Sequence, residues 1–160
     1  MKIRTDFVTN SSSSSFIVGF KNKDNIEKQL YDSIFPRFGG YAYDIVLRDI
    51  KKKENHLTKN KAVTIYREEI EFPIRWKIEN KYEHKLDLNF EDFLKWLDDN
   101  KNKIEDEVNK QVEKRCKKFE SVIADYEFLA EVEYDDHVNS AFEQDIMPNL
   151  DCTLIRFSHH

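Results

Sequence analysis

The chain has 160 residues, of which 39% are hydrophobic and 36% charged, with only three Gly and three Pro. That is enough apolar residues for one folded domain over 1–160, and it excludes a disordered chain. The net charge of −5 at pH 7 argues against a protein that works by gripping nucleic-acid backbones, and no stretch approaches the roughly eighteen apolar residues of a membrane span.

Residues 1–14 read as an N-terminal segment that is either mobile or ordered by a ligand. It runs into Thr9-Asn10-Ser11-Ser12-Ser13-Ser14-Ser15-Phe16-Ile17-Val18, five serines opening a short apolar run. Serine hydroxyls bond their own backbone, so the run favours turns and fits a flexible linker. The apolar flanks Phe7-Val8 and Phe16-Ile17-Val18 can both be anchored in a core, however. A serine loop held at both ends presents convergent N–H and O–H donors, a nest for a phosphate or carboxylate.

Ser15 to Phe20 is predicted as the first strand, apolar on both faces apart from Gly19 and therefore central in a sheet. Asp24-Asn25-Ile26-Glu27 is a capping box opening a helix with Ile26, Leu30 and Ile34 in one stripe, which Pro36 is expected to end. Phe38-Gly39-Gly40-Tyr41 reads as a turn or a mobile lip. From Tyr41 to Ile50 the spacing fits a helix and leaves a strand open. Lys51-Lys52-Lys53, Lys59 and Lys61 read as a solvated loop, since no aromatic platform is interleaved with them.

Ile70, Phe72, Ile74, Trp76 and Ile78 alternate with polar residues and Pro73. Period two predicts a strand with one buried face, at an edge or bulged at Pro73, paired with a preceding strand through Val63, Ile65 and Tyr66. Asn89 with Asp92 starts a helix carrying Phe90, Phe93, Leu94 and Leu97, interrupted at Asp98-Asp99-Asn100. Ile104, Val108, Val112, Cys116 and Phe119 then mark one face of an amphipathic helix, which makes Cys116 a buried structural thiol. Tyr126 to Tyr134 alternates against an acidic outer face, giving another one-sided strand that ends at Asp135-Asp136-His137. Ser140 to Glu143 is a second capping box, for a short helix stopping before Pro148, and Asp151 to Phe157 is a closing strand. The fold expected is α+β, a mainly antiparallel sheet with N- and C-terminal strands in the core and a central helical region.

Phe7-Val8-Thr9-Asn10-(Ser)5-Phe16-Ile17 closely resembles the signature of a group of small uncharacterised bacterial and bacteriophage proteins. Those begin with a short basic segment, then Gly-Phe-Val-Ser-Asn, five serines and Phe. The last residues, Arg156-Phe157-Ser158-His159-His160, resemble the Ser-His-His ending that often accompanies that start. This chain carries Asp6 where Gly is usual and Thr9 where Ser is usual. The resemblance implies a bacterial or phage cytosolic setting and no particular mechanism.

Three catalytic or binding arrangements can be assembled. A serine of Ser11–Ser15 could be a nucleophile with His137, His159 or His160 as base, although no Gly-x-Ser-x-Gly elbow is present. Asp135, Asp136 and His137 could meet a metal with His159 and His160, but adjacent histidines on a strand point to opposite faces. The acidic face of the 125–135 strand could mimic a nucleic-acid backbone. Phosphate-loop, zinc-cluster and dinucleotide motifs do not occur, so catalytic residues, cofactors and metals are left unassigned. The two lone cysteines, without a secretory leader, read as reduced thiols in a cytoplasmic protein.

Two functions follow as expectations. The first is a small cytosolic interaction protein of phage or mobile-element type that binds a host or bacterial protein and is a candidate inhibitor of it. The alternative is a phosphorylated small molecule or nucleotide, bound or hydrolysed, at Asn10, Ser11, Ser12, Ser13, Ser14 and Ser15 with His159 and His160. The second arrangement requires the first and last strands to be neighbours. Neither involves nucleic-acid binding or a membrane.

Overall fold

A computed structural model describes residues 13–135 and 140–159, with Ser158 and His159 described by their backbone alone. The elements in chain order are β1 (Ser13–Phe20), α1 (Ile26–Lys51), β2 (His56–Leu57), α2 (Lys59–Leu86), α3 (Phe90–Asp99), α4 (Lys101–Ile123), β3 (Phe128–Asp135) and β4 (Thr153–His159). Helix dominates, so the fold is α+β but not mainly sheet as expected. The described residues form two compact units, one of residues 63–122 and one of residues 13–62 with 123–159.

The sheet of the second unit has the order β2-β3-β1-β4, with antiparallel neighbours throughout. β1 is buried along its full length and lies between β3 and β4, the central place that its two apolar faces require. Phe16, Val18 and Phe20 from β1, with Ala130, Val132 and Tyr134 from β3, form one face of the sheet. Ile26, Leu30 and Ile34 at helical spacing on α1 pack on that face, joined by Ile146 and Met147 from a short turn of π- and 3-10-helix. At about 1.5–3 kcal/mol for each buried large apolar side chain, this face is the main stabilising surface of the unit.

α1 does not end at Pro36. The missing N–H costs it one rung of the ladder, and the break falls at Gly39 (φ 81°, ψ 177°), a conformation that L side chains avoid. Tyr31 stacks on Phe35 with ring centroids 4.5 Å apart and meets Tyr43 edge-on at 5.5 Å, so aromatic contacts tie the two arms together across the break. The open reading of 41–50 resolves to helix, with Ala42, Val46 and Ile50 buried.

The largest correction concerns 63–78, expected as two strands and folded as the middle of α2. Ile70, Ile74 and Ile78 recur every four residues, a spacing that falls on one face of a helix as well as of a strand. They pack with Ile104, Val108, Val112 and Cys116 of α4, leaving Phe72 and Trp76 on the opposite side, 44% and 59% exposed. A strand would have buried all five. The lysines expected in a loop also divide between structures: Lys52 pairs with Asp49 at 3.0 Å, while Lys59 and Lys61 open α2.

The expectations for α3 and α4 hold. Asn89 caps α3 by accepting from the Asp92 N–H at 3.0 Å, and α3 and α4 separate at Asn100. The α4 stripe is buried as predicted, Cys116 included. Arg75 joins Glu105 through two bonds of 2.8 and 2.9 Å, and Arg67 donates to Glu113 at 2.6 Å, both linking α2 to α4.

Candidate functional site: the serine end of the sheet

Ser13, Ser14 and Ser15 are the first residues of β1 and are all buried. Ser13 stands opposite Asp135 on one side and His159 on the other. Ser14 stands between Tyr134 and Ser158, and Ser15 between Glu133 and Phe157. The first and last strands are thus neighbours, and Ser13–Ser15 meet Phe157–His159 in register. Asn10, Ser11, Ser12, His137 and His160 lie outside the described residues, as does Asp136.

Alternation along β1 places Ser14 on the same face as Phe16, toward the π-helical turn Phe142–Ile146. Its hydroxyl donates to Glu143 Oε1 at 2.6 Å. Arg156 of β4 donates from Nε to Ser14 Oγ and from Nη2 to Glu143 Oε1, both at 3.3 Å, with its guanidinium 5.8 Å from the Phe16 ring centroid. Glu143 and Ser14 have no solvent exposure, while the Arg156 side chain is 32% exposed. The arrangement is a buried carboxylate held by a hydroxyl and roofed by a partly wet guanidinium.

A second buried carboxylate lies across the sheet face. Tyr134, directly opposite Ser14 in the register, donates its hydroxyl to Asp49 Oδ2 at 3.3 Å. Arg48 and Lys52 reach the other oxygen of Asp49 at 3.1 and 3.0 Å. Burial, followed by the Asp49 carboxylate, pushes the Tyr134 phenol far above its usual range, so it keeps the proton that it donates to Asp49.

Chemically, Ser14 and Glu143 have the separation of a nucleophile and its base. Both are sealed from solvent, so no substrate reaches Ser14 Oγ, and a hydrogen bond to a buried carboxylate stabilises the fold by about 1.5–3 kcal/mol. Ser14 directs its proton at a carboxylate, the opposite of what an anion site needs. Burial raises the Cys116 thiol and pushes Cys152 up to about 12, which makes both structural thiols. The outer face of β3 is only partly acidic surface: Leu129 is buried, Glu127 accepts from the Lys23 N–H at 3.1 Å, and Glu133 is exposed. Among the described residues no three His, Cys, Asp or Glu side chains gather as metal ligands, and no helix is long and apolar enough to cross a membrane.

Glu143, Arg156, Tyr134 and Asp49 were not singled out in the sequence. Two carried a signal. Arg156 is the one charge within the apolar Leu154-Ile155-Arg156-Phe157, and Glu143 lies between Phe142 and Ile146. Glu143 also fitted a capping box, which disguised it as a solvated residue. No protein-family model, curated protein or solved structure matches the chain.

Proposed function

We propose that this is a protein-binding protein whose working surface is the exposed side of α2, with a bacterial host protein as partner and obstruction of that partner as its effect. The observation that carries this reading is the exposure of Phe72 and Trp76 beside a fully packed Ile70-Ile74-Ile78 stripe. Trp76 is 59% exposed one helical turn from Phe72, and tryptophan is among the residues that most often anchor interfaces. Glu79 and Glu83 follow Trp76 on the same side of the helix, so the surface suits an apolar patch with a basic rim. The resemblance of the serine segment to bacterial and phage proteins supports the choice of a bacterial host.

Changing Phe72 and Trp76 together to Ala is expected to leave the melting temperature within the range of a neutral surface substitution. The same change should weaken partner binding by roughly thirtyfold or more, as loss of an interface anchor does. Pull-down from bacterial lysates with both forms reads the difference. Equal capture by the wild type and the variant, or no specific capture by either, overturns the proposal.

A second reading is favoured by the adjacency of β1 and β4. The register Ser13–His159, with Arg156 close by, brings the start of β1 and the end of β4 to one place. Of the residues expected to hold a phosphorylated ligand or nucleotide there, Ser14 is committed to Glu143, which leaves Asn10, Ser11, Ser12, Ser13 and Ser15 with His159 and His160. Stabilisation by a nucleotide panel, in place of partner capture, would favour it.

A further inference from the structure

A cleft of about 260 Å³ opens at the other end of β1, lined by Gly19, Lys21, Asn22, Asn25, Gln29, Tyr126 and Asp151. Three parts of the chain meet there, and the main chain clamps them together. The Gly19 N–H donates to the Cys152 carbonyl at 2.8 Å, and the Glu127 N–H donates to the Phe20 carbonyl at 3.0 Å. Gly19 is required by the packing, since a Cβ at that position would lie 2.6 Å from Tyr126 Cδ1 and 2.7 Å from Leu154 Cδ1. The wall that Tyr126 contributes is therefore set by core contacts, and the cleft is formed before any ligand arrives.

Its chemistry is narrow. Three carboxamides, one phenol, one ammonium and one carboxylate line it, so the charges of Lys21 and Asp151 cancel. An inorganic anion would meet the Asp151 carboxylate together with a single cation, and the wall divides about evenly between polar and apolar surface, which suits a sugar ring with its hydroxyl edge and C–H faces. Carboxamides donate and accept at once, as hydroxyl groups do. Asn22 Oδ1 accepts from the Asp24 N–H at 2.8 Å, which fixes its amide plane and leaves the NH₂ group to donate. Asn25 occupies the cap position of α1, yet its side chain makes no capping bond.

We infer that this cleft binds a small, neutral, polyhydroxylated molecule, a single sugar ring, through the carboxamides of Asn22, Asn25 and Gln29 and the Asp151 carboxylate. The site is independent of the exposed side of α2. NMR titration of the full chain with glucose, galactose, mannose and N-acetylglucosamine, each to about 100 mM, covers the weak millimolar range expected of an open cleft. At least one sugar should give saturable shifts confined to residues 19–29, 126 and 151 and to the side-chain amides of Asn22, Asn25 and Gln29. Asn25→Ala with Gln29→Ala should weaken that binding about tenfold or more at unchanged melting temperature. Asp151→Asn, which changes no packing, should weaken it as well. No saturable shift with any of the four sugars overturns the inference. So does the same response to inorganic phosphate, or binding undiminished in both variants.

Discussion

At the scale of single residues, the most constrained group is Glu143. Its carboxylate has no solvent exposure, and Ser14 and Arg156 both donate to its Oε1, which offsets part of the cost of burying it. Removing one partner of a buried pair strands the other, a loss larger than the net worth of the pair itself. Arg156→Leu should therefore destabilise the protein by about 3 kcal/mol, the lower end of the range for such pairs because the guanidinium is partly wet. Adding Glu143→Gln should restore part of that loss, since no charge is then stranded. Urea midpoints at constant m-value measure both steps. A single variant as stable as the wild type would mean that Arg156 does not neutralise Glu143.

At the scale of elements, α2 and α4 are joined by the Ile70-Ile74-Ile78 stripe and by the two-bond contact of Arg75 with Glu105. The hydrogen bonds from Arg75 hold the Glu105 carboxyl below its usual range, and Glu105 in turn raises the Arg75 guanidinium. A depressed carboxylate contributes stability above its unfolded-state value and loses it as pH falls through the folded one. Both groups are more than a quarter exposed, so the contribution is that of a surface pair, about 0.5–1 kcal/mol. Glu105→Gln should cost this much near neutrality and almost nothing near about pH 2. Paired thermal melts of wild type and variant at the two pH values test it, and a difference independent of pH would show that the ion pair contributes nothing.

At the scale of the whole molecule, β1 is, among the described residues, the one element bonded along both edges and buried on both faces. Its amides can open only when the sheet opens, whereas α3 buries a single residue, Phe93, and β2 is two residues long. Amides of Phe16–Phe20 should be the slowest to exchange with deuterium, at rates set by global unfolding, and those of α3 among the fastest. Native-state exchange followed by NMR decides it. α3 amides outlasting those of β1 would refute the placement of the stability core in the sheet.

What the sequence determined by itself is local and periodic. The unbroken apolar run of Phe16-Ile17-Val18 required a strand with two covered faces, the four-residue spacing from Ile104 to Cys116 required an amphipathic helix, and Asn89 with Asp92 specified where α3 begins. Tertiary structure decided what those periods could not distinguish. A four-residue recurrence satisfies period two as well as period 3.6, so Ile70, Ile74 and Ile78 were readable as strand until the α4 stripe offered them a helical partner. Pro36 looked like a helix stop and Pro73 like an edge or bulge in a strand, but a helix packed along its length tolerates one missing rung, and the break in α1 came at Gly39 instead. The pairing of β1 with both β3 and β4 brings together Ser14 and Arg156, 142 positions apart, and with them Glu143. No local period encodes such a contact; it exists only because burying both faces of β1 required strands and helices from the other end of the chain.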